Sequence, residues 1–232
     1  MINLIKKLDH RIRYFLMLDT ETCNTLSING VLDMSNALTY DIGIAVCDKR
    51  GKIYLTKSYI VKEIFFGMQD LMKSAYYSNK IPQYLKDIEE GKREVKSWYE
   101  IRKEILEICE WFDIDTVVSH NARFDNNTLK VTQRYNTYSK YRFYLPYGFK
   151  YYDTLKMAKD TICKQKSYIK FCEENGYMTK HKIPQPRATA EILYRYITKD
   201  NDFVEAHTGL EDCEIEGEIL AYIYKNYTDF RK

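Results

Sequence analysis

The sequence predicts an α/β protein: a mixed five-stranded sheet, antiparallel over strands one to three and parallel thereafter, flanked by helices, in a single domain over residues 1–232. Three observations predict it. The run "RYFLMLD", residues 13 to 19, is apolar, too short for a helix and rich in residues that suit a strand. "TYDIGIAVCD" alternates Ile42, Ile44 and Val46, and "GKIYLTKSYIV" follows across "DKRG", a hairpin pattern with Gly51 supplying the turn. From residue 116 a β-branched strand, "DTVVSHN", opens into a series of helical patterns.

The elements between and after these are helical. Met68, Leu71, Met72 and Ala75, then Tyr84, Leu85 and Ile88, then Trp98, Ile101, Ile105, Ile108 and Trp111 recur at helical spacing. The charge run "KDIEEGKREVKS" between them reads as a solvated helix end and loop. "ARFDNNTLKVTQRY" reads as a helix, and further helical signals cover residues 153 to 163, 166 to 175, 187 to 198 and 211 to 225. "ENGYMTKHKIPQPR", with Gly176, Pro184 and Pro186, reads as a surface loop.

A chain of 232 residues that is 45% hydrophobic can bury one substantial core. Its net charge of +3 suits a phosphate-bearing partner without requiring one. The six cysteines are scattered and read as reduced thiols of a cytosolic protein, and Cys163, Cys172 and His181 are wrongly spaced for zinc. Asp9, His10, Arg11 and Arg13 interrupt any signal-peptide core, and no apolar stretch approaches the roughly 20 residues that span a bilayer. A soluble, cytoplasmic chain is expected. The 22 tyrosines cluster in "YNTYSKYRFYLPYGFKYYD", where aromatic and basic residues interleave. Such a cluster can stack bases and pair phosphates, or simply cover the edge of the core, which is the preferred reading of any single tyrosine.

Three short stretches carry chemistry together: "LDTET" with Asp19 and Glu21, "SHNARFD" with Asp125, and "HTGLED" with His207 and Asp212. In an extended chain residues i and i+2 share a side, so Asp19 and Glu21 can face one pocket while Thr20 faces away. Asp125 would arrive from the first turn after the fourth strand, and Asp212 from a late helix beside the first. Carboxylates brought together without cations repel strongly, and hard ions such as Mg²⁺ or Mn²⁺ favour an all-oxygen site. Two divalent ions some 3.5–4 Å apart are a known solution to phosphodiester hydrolysis.

In this order the stretches resemble the three motifs of the DEDDh branch of the DnaQ-like 3′→5′ exonucleases, members of the RNase H-like superfamily. The resemblance runs from about residue 14 to 225 and includes the hairpin. It implies an RNase H-like fold and metal-dependent hydrolysis of DNA, at single-stranded 3′ ends, to nucleoside monophosphates. It also implies two Mg²⁺ or Mn²⁺ ions, with Asp19 bridging both, Glu21 and Asp212 on the nucleophile side and Asp125 on the leaving-group side. His207, five residues before Asp212, is the implied general base, since imidazole titrates near neutral pH. Gly209 fits a mobile loop carrying it, and His120 takes a structural role. Thr20, Thr22 and Asn121 are the candidate substrate contacts, and Arg123, Lys150 and Arg187 stand where a nucleic-acid backbone could pass. The chain departs from the family at Thr22-Cys23-Asn24, where Thr-Thr-Gly is usual. The implied partner is nucleic acid with a free 3′ end, DNA favoured, with a DNA polymerase as a second partner. "KSAYYSNKIPQYLKDIEEGKR" looks like stand-alone exonucleases of phages. Two alternatives stay open: an RNA exonuclease of the oligoribonuclease or RNase T type, and a noncatalytic subunit that grips 3′ ends. Oligomeric state is left open.

Overall fold

The computed structural model describes residues 8–24, 35–138 and 143–227. The central strand β1 (Tyr14–Cys23) pairs antiparallel with β2 (Leu38–Asp48), which turns into β3 (Ile53–Val61). That turn forms as its residues dictate. Gly51 takes a left-handed φ of +80°, and Asp48 Oδ1 accepts the backbone N–H groups of Arg50 (2.7 Å) and Lys52 (3.2 Å). Two short turns, α1 (Lys62–Phe65) and α2 (Gln69–Met72), precede α3 (Ile81–Glu89), β4 (Glu94–Lys96) and α4 (Trp98–Trp111). Helix α4 starts on a capping box between Ser97 and Glu100. β5 (Thr116–Ser119), α5 (Ala122–Thr137), β6 (Lys150–Asp153), α6 (Thr154–Asp160), α7 (Lys166–Glu174), α8 (Ala190–Thr198) and α9 (Gly209–Asn226) complete the described chain.

The sheet has six strands in the order β4-β3-β2-β1-β5-β6, one more than the sequence predicts. β5 lies parallel to β1 and β6 parallel to β5, as expected of the later strands. The additional strand, β4, sits inside the charge run read as a solvated loop. Its three residues are too few to show a period, and Lys57 fixes its edge through ion pairs to Glu94 (2.5 Å) and Glu104 (3.3 Å). Arg93 in the same run is buried rather than solvated. The helical signal from residue 68 breaks into separate pieces, and Leu85 and Trp111 face solvent. β1 also runs past Asp19 to Cys23, so the acidic pair lies within a strand instead of beyond its end.

Period-two alternation divides β1 between two cores. Leu16 and Leu18 join Ile42, Ile44 and α4's Ile101, Ile105 and Ile108 on one face. Phe15 and Met17 join Ala45, Cys47 and the α9 residues Ile215, Ile219 and Ile223 on the other. β2, covered on both sides, is buried along its whole length. Cys23, Cys47 and Cys109 are buried free thiols that pack as small hydrophobes, and burial pushes each up to about 12. Among the described residues, no helix is long and apolar enough to cross a membrane.

One contact decides where α9 begins. Gly43 on β2 and Gly209 at the start of α9 touch backbone to backbone, and a Cβ on Gly43 would fall 1.9 Å from the Gly209 carbonyl carbon. Only two glycines allow this approach, which carries the first turn of α9 over β1 at Asp19.

Candidate active site

Asp19 pairs with Gly43 and Glu21 with Asp41 across β1 and β2, and a bulge follows between Glu21 and Thr22. The side chains of Asp19 and Glu21 meet Asp212 from the first turn of α9. One carboxylate oxygen from each lies within 4.8 Å of the other two. Thr20 points the other way, as the alternation requires. Its hydroxyl donates to Asp125 Oδ1 at 2.9 Å and lies 3.2 Å from Thr128 Oγ1. The Thr20 side chain is therefore buried behind Asp125, holding that carboxylate instead of lining the cavity where a substrate contact was expected.

Asp125 enters from the first turn of α5. Asn121 makes the sharp step from β5 into that helix with a left-handed φ of 72°, a conformation asparagine tolerates better than most residues. The Asn121 side chain is exposed, and the residue lines a cavity of about 840 Å³ together with Asp19, Asp212 and Arg187. Thr22 is buried next to the bulge. Two residues on, Asn24 has φ 60°, so it supplies the left-handed backbone at the position where the family pattern has glycine. Its N–H donates to Ser74 Oγ at 3.1 Å.

Burial is the main cause that raises every carboxyl group here. It lifts Asp19 well above the usual range, helped by the charges of Asp125, Glu216 and Glu21. It takes Glu21 to about 9, with Asp41 and Asp212 adding to the rise. It takes Asp212 to about 8, with Glu205 contributing, and Asp125 to about 7 against the opposing hydrogen bond from Thr20. Asp125 Oδ2, Asp212 Oδ1 and Glu216 Oε2 are buried acceptors that no donor reaches. An all-oxygen set with orphaned lone pairs suits hard divalent cations such as Mg²⁺ or Mn²⁺.

Glu216 is the site residue that the motifs miss. It is 2% exposed, lines the same cavity, and adds its charge to Asp19. Its Oε1 accepts the His120 N–H at 2.8 Å. A signal existed: Glu216 follows Asp212 by four residues, one helical turn along the same face. His120, which also lines this cavity, is held at both ring nitrogens, with Nδ1 3.0 Å from Thr154 Oγ1 and Nε2 2.7 Å from the Ala188 carbonyl.

His207 lies near the carboxylates but turned aside. Its ring stacks on Tyr77 at 4.7 Å and 12°, with Nδ1 3.5 Å from Glu205 Oε2. It groups with Glu191 and Glu205 rather than with Asp19, Glu21 and Asp212. Burial, with Lys80 nearby, holds its imidazole below the usual value. Lys80 Nζ donates to the carbonyls of Ala206 and His207, tying this segment to the turn before α3. Gly209 is packed in place and not in an open loop. It is buried against Gly43, and its N–H donates to Asp41 Oδ2 at 3.0 Å. The left-handed backbone belongs to His207 itself, with φ 50°.

Asp41 anchors the start of α9 from below. Besides Gly209 it accepts Tyr84 Oη at 2.7 Å and lies 3.5 Å from Arg93, which also pairs with Asp87 and Glu211. Of the three cations considered for a nucleic-acid backbone, Arg187 lines the large cavity and Arg123 a neighbouring groove. Lys150 is instead engaged with Asp115 at 2.6 Å.

No protein-family model matches the sequence, and no curated protein matches it. Solved structures do. The nuclease domain of 3′hExo, a DEDDh family member, bound to rAMP, is similar with a TM-score of 0.60 and 13% identity over 94% of this chain and 95% of that one. E. coli exonuclease I in complex with a dA16 oligonucleotide is similar at 0.55 and 14% identity, over 94% of this chain but 42% of that one. S. pombe Pop2p in its Mg²⁺- and Mn²⁺-bound form is similar at 0.51 and 15% identity, over 94% and 85%. The mixed sheet and its flanking helices are the RNase H-like fold shared with these structures.

Proposed function

We propose that this chain is a metal-dependent 3′→5′ exonuclease that hydrolyses DNA, at single-stranded 3′ ends, to nucleoside monophosphates. The observation that carries the reading is the meeting of Asp19, Glu21 and Asp212 oxygens within 4.8 Å, beside Asp125. These four would hold Mg²⁺ or Mn²⁺, two ions per site. Bound divalent ions supply activation of water and stabilisation of charge on the attacked phosphate and the leaving 3′ oxygen.

The chain's own residues do the rest. The rigid strand β1 and the packed start of α9 hold the carboxylates in place, and Thr20 fixes the orientation of Asp125. The 840 Å³ cavity beside them is large enough for a terminal nucleotide, with Asn121 and Arg187 in its wall. His207, held neutral by burial, takes the proton of the attacking water once its ring leaves Tyr77 and turns towards the carboxylates. Stand-alone action on phage DNA in the host cytoplasm, or proofreading beside a polymerase, is the biological setting we infer.

The test is release of label from 3′-labelled single strands with Mg²⁺ or Mn²⁺, using matched DNA and RNA. The fold is shared with a nuclease domain bound to rAMP and with an exonuclease bound to dA16, so both sugars belong in the assay. We expect monophosphate release, faster from DNA. Faster release from RNA would replace the DNA assignment with an RNA exonuclease. Strand binding with no release under either metal would leave only a 3′-end-binding subunit.

A further inference from the structure

Helix α5 leaves the site at Asn121 and presents an outer face that the proposed chemistry does not use. Arg123, Asn127, Lys130 and Arg134 are spaced by four, three and four residues, which puts them in one stripe along that face. They line a groove of about 510 Å³, and Asn121 lines both this groove and the large cavity. Among the described residues no carboxylate lines the groove, and Asp125 points inward. Arg123, Lys130 and Arg134 have no ion pair to a carboxylate among the described residues. The sequence extends the asymmetry: no acidic residue stands between Asp125 and Asp153, while Lys130, Arg134, Lys140, Arg142 and Lys150 do.

Aromatic rings border the stripe at its far end. Tyr138, at the C-terminus of α5, is 93% exposed, and Tyr135 and Phe143 are also solvent-facing. Lys130 Nζ sits 5.4 Å from the Phe143 ring centroid. Cations with no carboxylate partner among the described residues, set beside exposed rings, form the combination that tracks a single strand, with charges on the phosphates and rings under the bases. From Arg123 to Arg134 the helix rises about 16 Å at 1.5 Å per residue, and a stacked strand advances about 3.4 Å per nucleotide, so about five nucleotides span it.

We propose that the outer face of α5 carries the single strand upstream of its 3′ end, with Arg123, Lys130 and Arg134 on successive phosphates and Tyr138 under a base. The proposal rests on the exonuclease reading for which end of the strand lies at Asn121, but its binding surface can be tested apart from turnover. It makes the enzyme length-sensitive: strands long enough to reach Tyr138 bind more tightly than di- or trinucleotides.

The test uses the full chain with Ca²⁺ in place of Mg²⁺, following the anisotropy of a fluorescent twelve-nucleotide strand as salt is varied. Each phosphate contact removed should lower the salt slope by about 0.7. The R123A/K130A/R134A variant should therefore lose about 2 from the slope, and Y138A should weaken binding five-fold or more with the slope unchanged. Hydrolysis of thymidine 5′-monophosphate p-nitrophenyl ester, which cannot reach the stripe, reports whether the site is intact in each variant. Wild-type affinity and salt slope in the triple variant would overturn the track. So would an equal loss of affinity for a dinucleotide and for the twelve-nucleotide strand. Failure of the wild-type protein to hydrolyse both this ester and a 3′-labelled strand in Mg²⁺ or Mn²⁺ would overturn the exonuclease reading instead, leaving the salt-slope result to decide the track alone.

Discussion

At the scale of single residues, the site is a set of acids held where acids are costly. Between the ordinary carboxylate range near 4 and the raised values of Asp125 (about 7), Asp212 (about 8) and Glu21 (about 9), the folded metal-free chain binds more protons than the unfolded one. The stability these three acids contribute is therefore fully present at low pH and is lost as pH rises through 5 to 9. Thermal melts in EDTA should show Tm decreasing over that range, with Mg²⁺ or Mn²⁺ raising Tm more at pH 8 than at pH 6. A flat Tm without metal would contradict the carboxylate account. Thr20→Val removes the side-chain donor to Asp125 Oδ1 with little change in shape. Loss of such an outer partner costs roughly 10- to 100-fold in metal affinity or rate, readable by titrating Mn²⁺ against activity. Asp19, Glu21, Asp125, His207 and Asp212 are readable from short motifs. Thr20 is half-readable: its direction follows from strand alternation, but its partner on α5 does not. Glu216 needed only the next turn of α9.

At the scale of elements, the site depends on where α9 starts relative to β1 and β2. Gly43→Ala puts a methyl group into the Gly209 backbone and must push the two elements apart. Overpacking of this kind costs about 1–3 kcal/mol, and the shift would carry Asp212 away from Asp19. Denaturant melts and the release assay should both fall, activity more steeply than stability. The hairpin from β2 to β3 is legible because Asp48 and Gly51 encode its turn locally. β4 is not, since its three residues carry no period. The support of α9 by Asp41 and Arg93 is equally hidden, because it joins a central strand to what reads as a solvated charge run. Gly209 misleads for the same reason. A glycine beside a catalytic motif suggests motion, whereas its packing partner lies on β2.

At the scale of the whole molecule, the order of motifs along the chain is also the order in which the sheet assembles its centre. β1 brings two acids, β5 leads into α5 with the third, and α9 returns across β1 with the fourth. That is why the fold class can be read from three short stretches and a hairpin, although identity to the similar solved structures is only 12–15%. In the function we propose, this convergence is a metal centre that cuts 3′ ends, and Asp19 is its common member. The measurement that tests it most directly is the rate of nucleotide release by Asp19→Ala against the unaltered chain, in Mg²⁺ and in Mn²⁺, with folding checked by circular dichroism. A fall of at least about 10³ in a folded variant is the result expected when several kcal/mol of charge stabilisation are removed. A folded Asp19→Ala protein that still releases nucleotide within about tenfold of the original rate would contradict it.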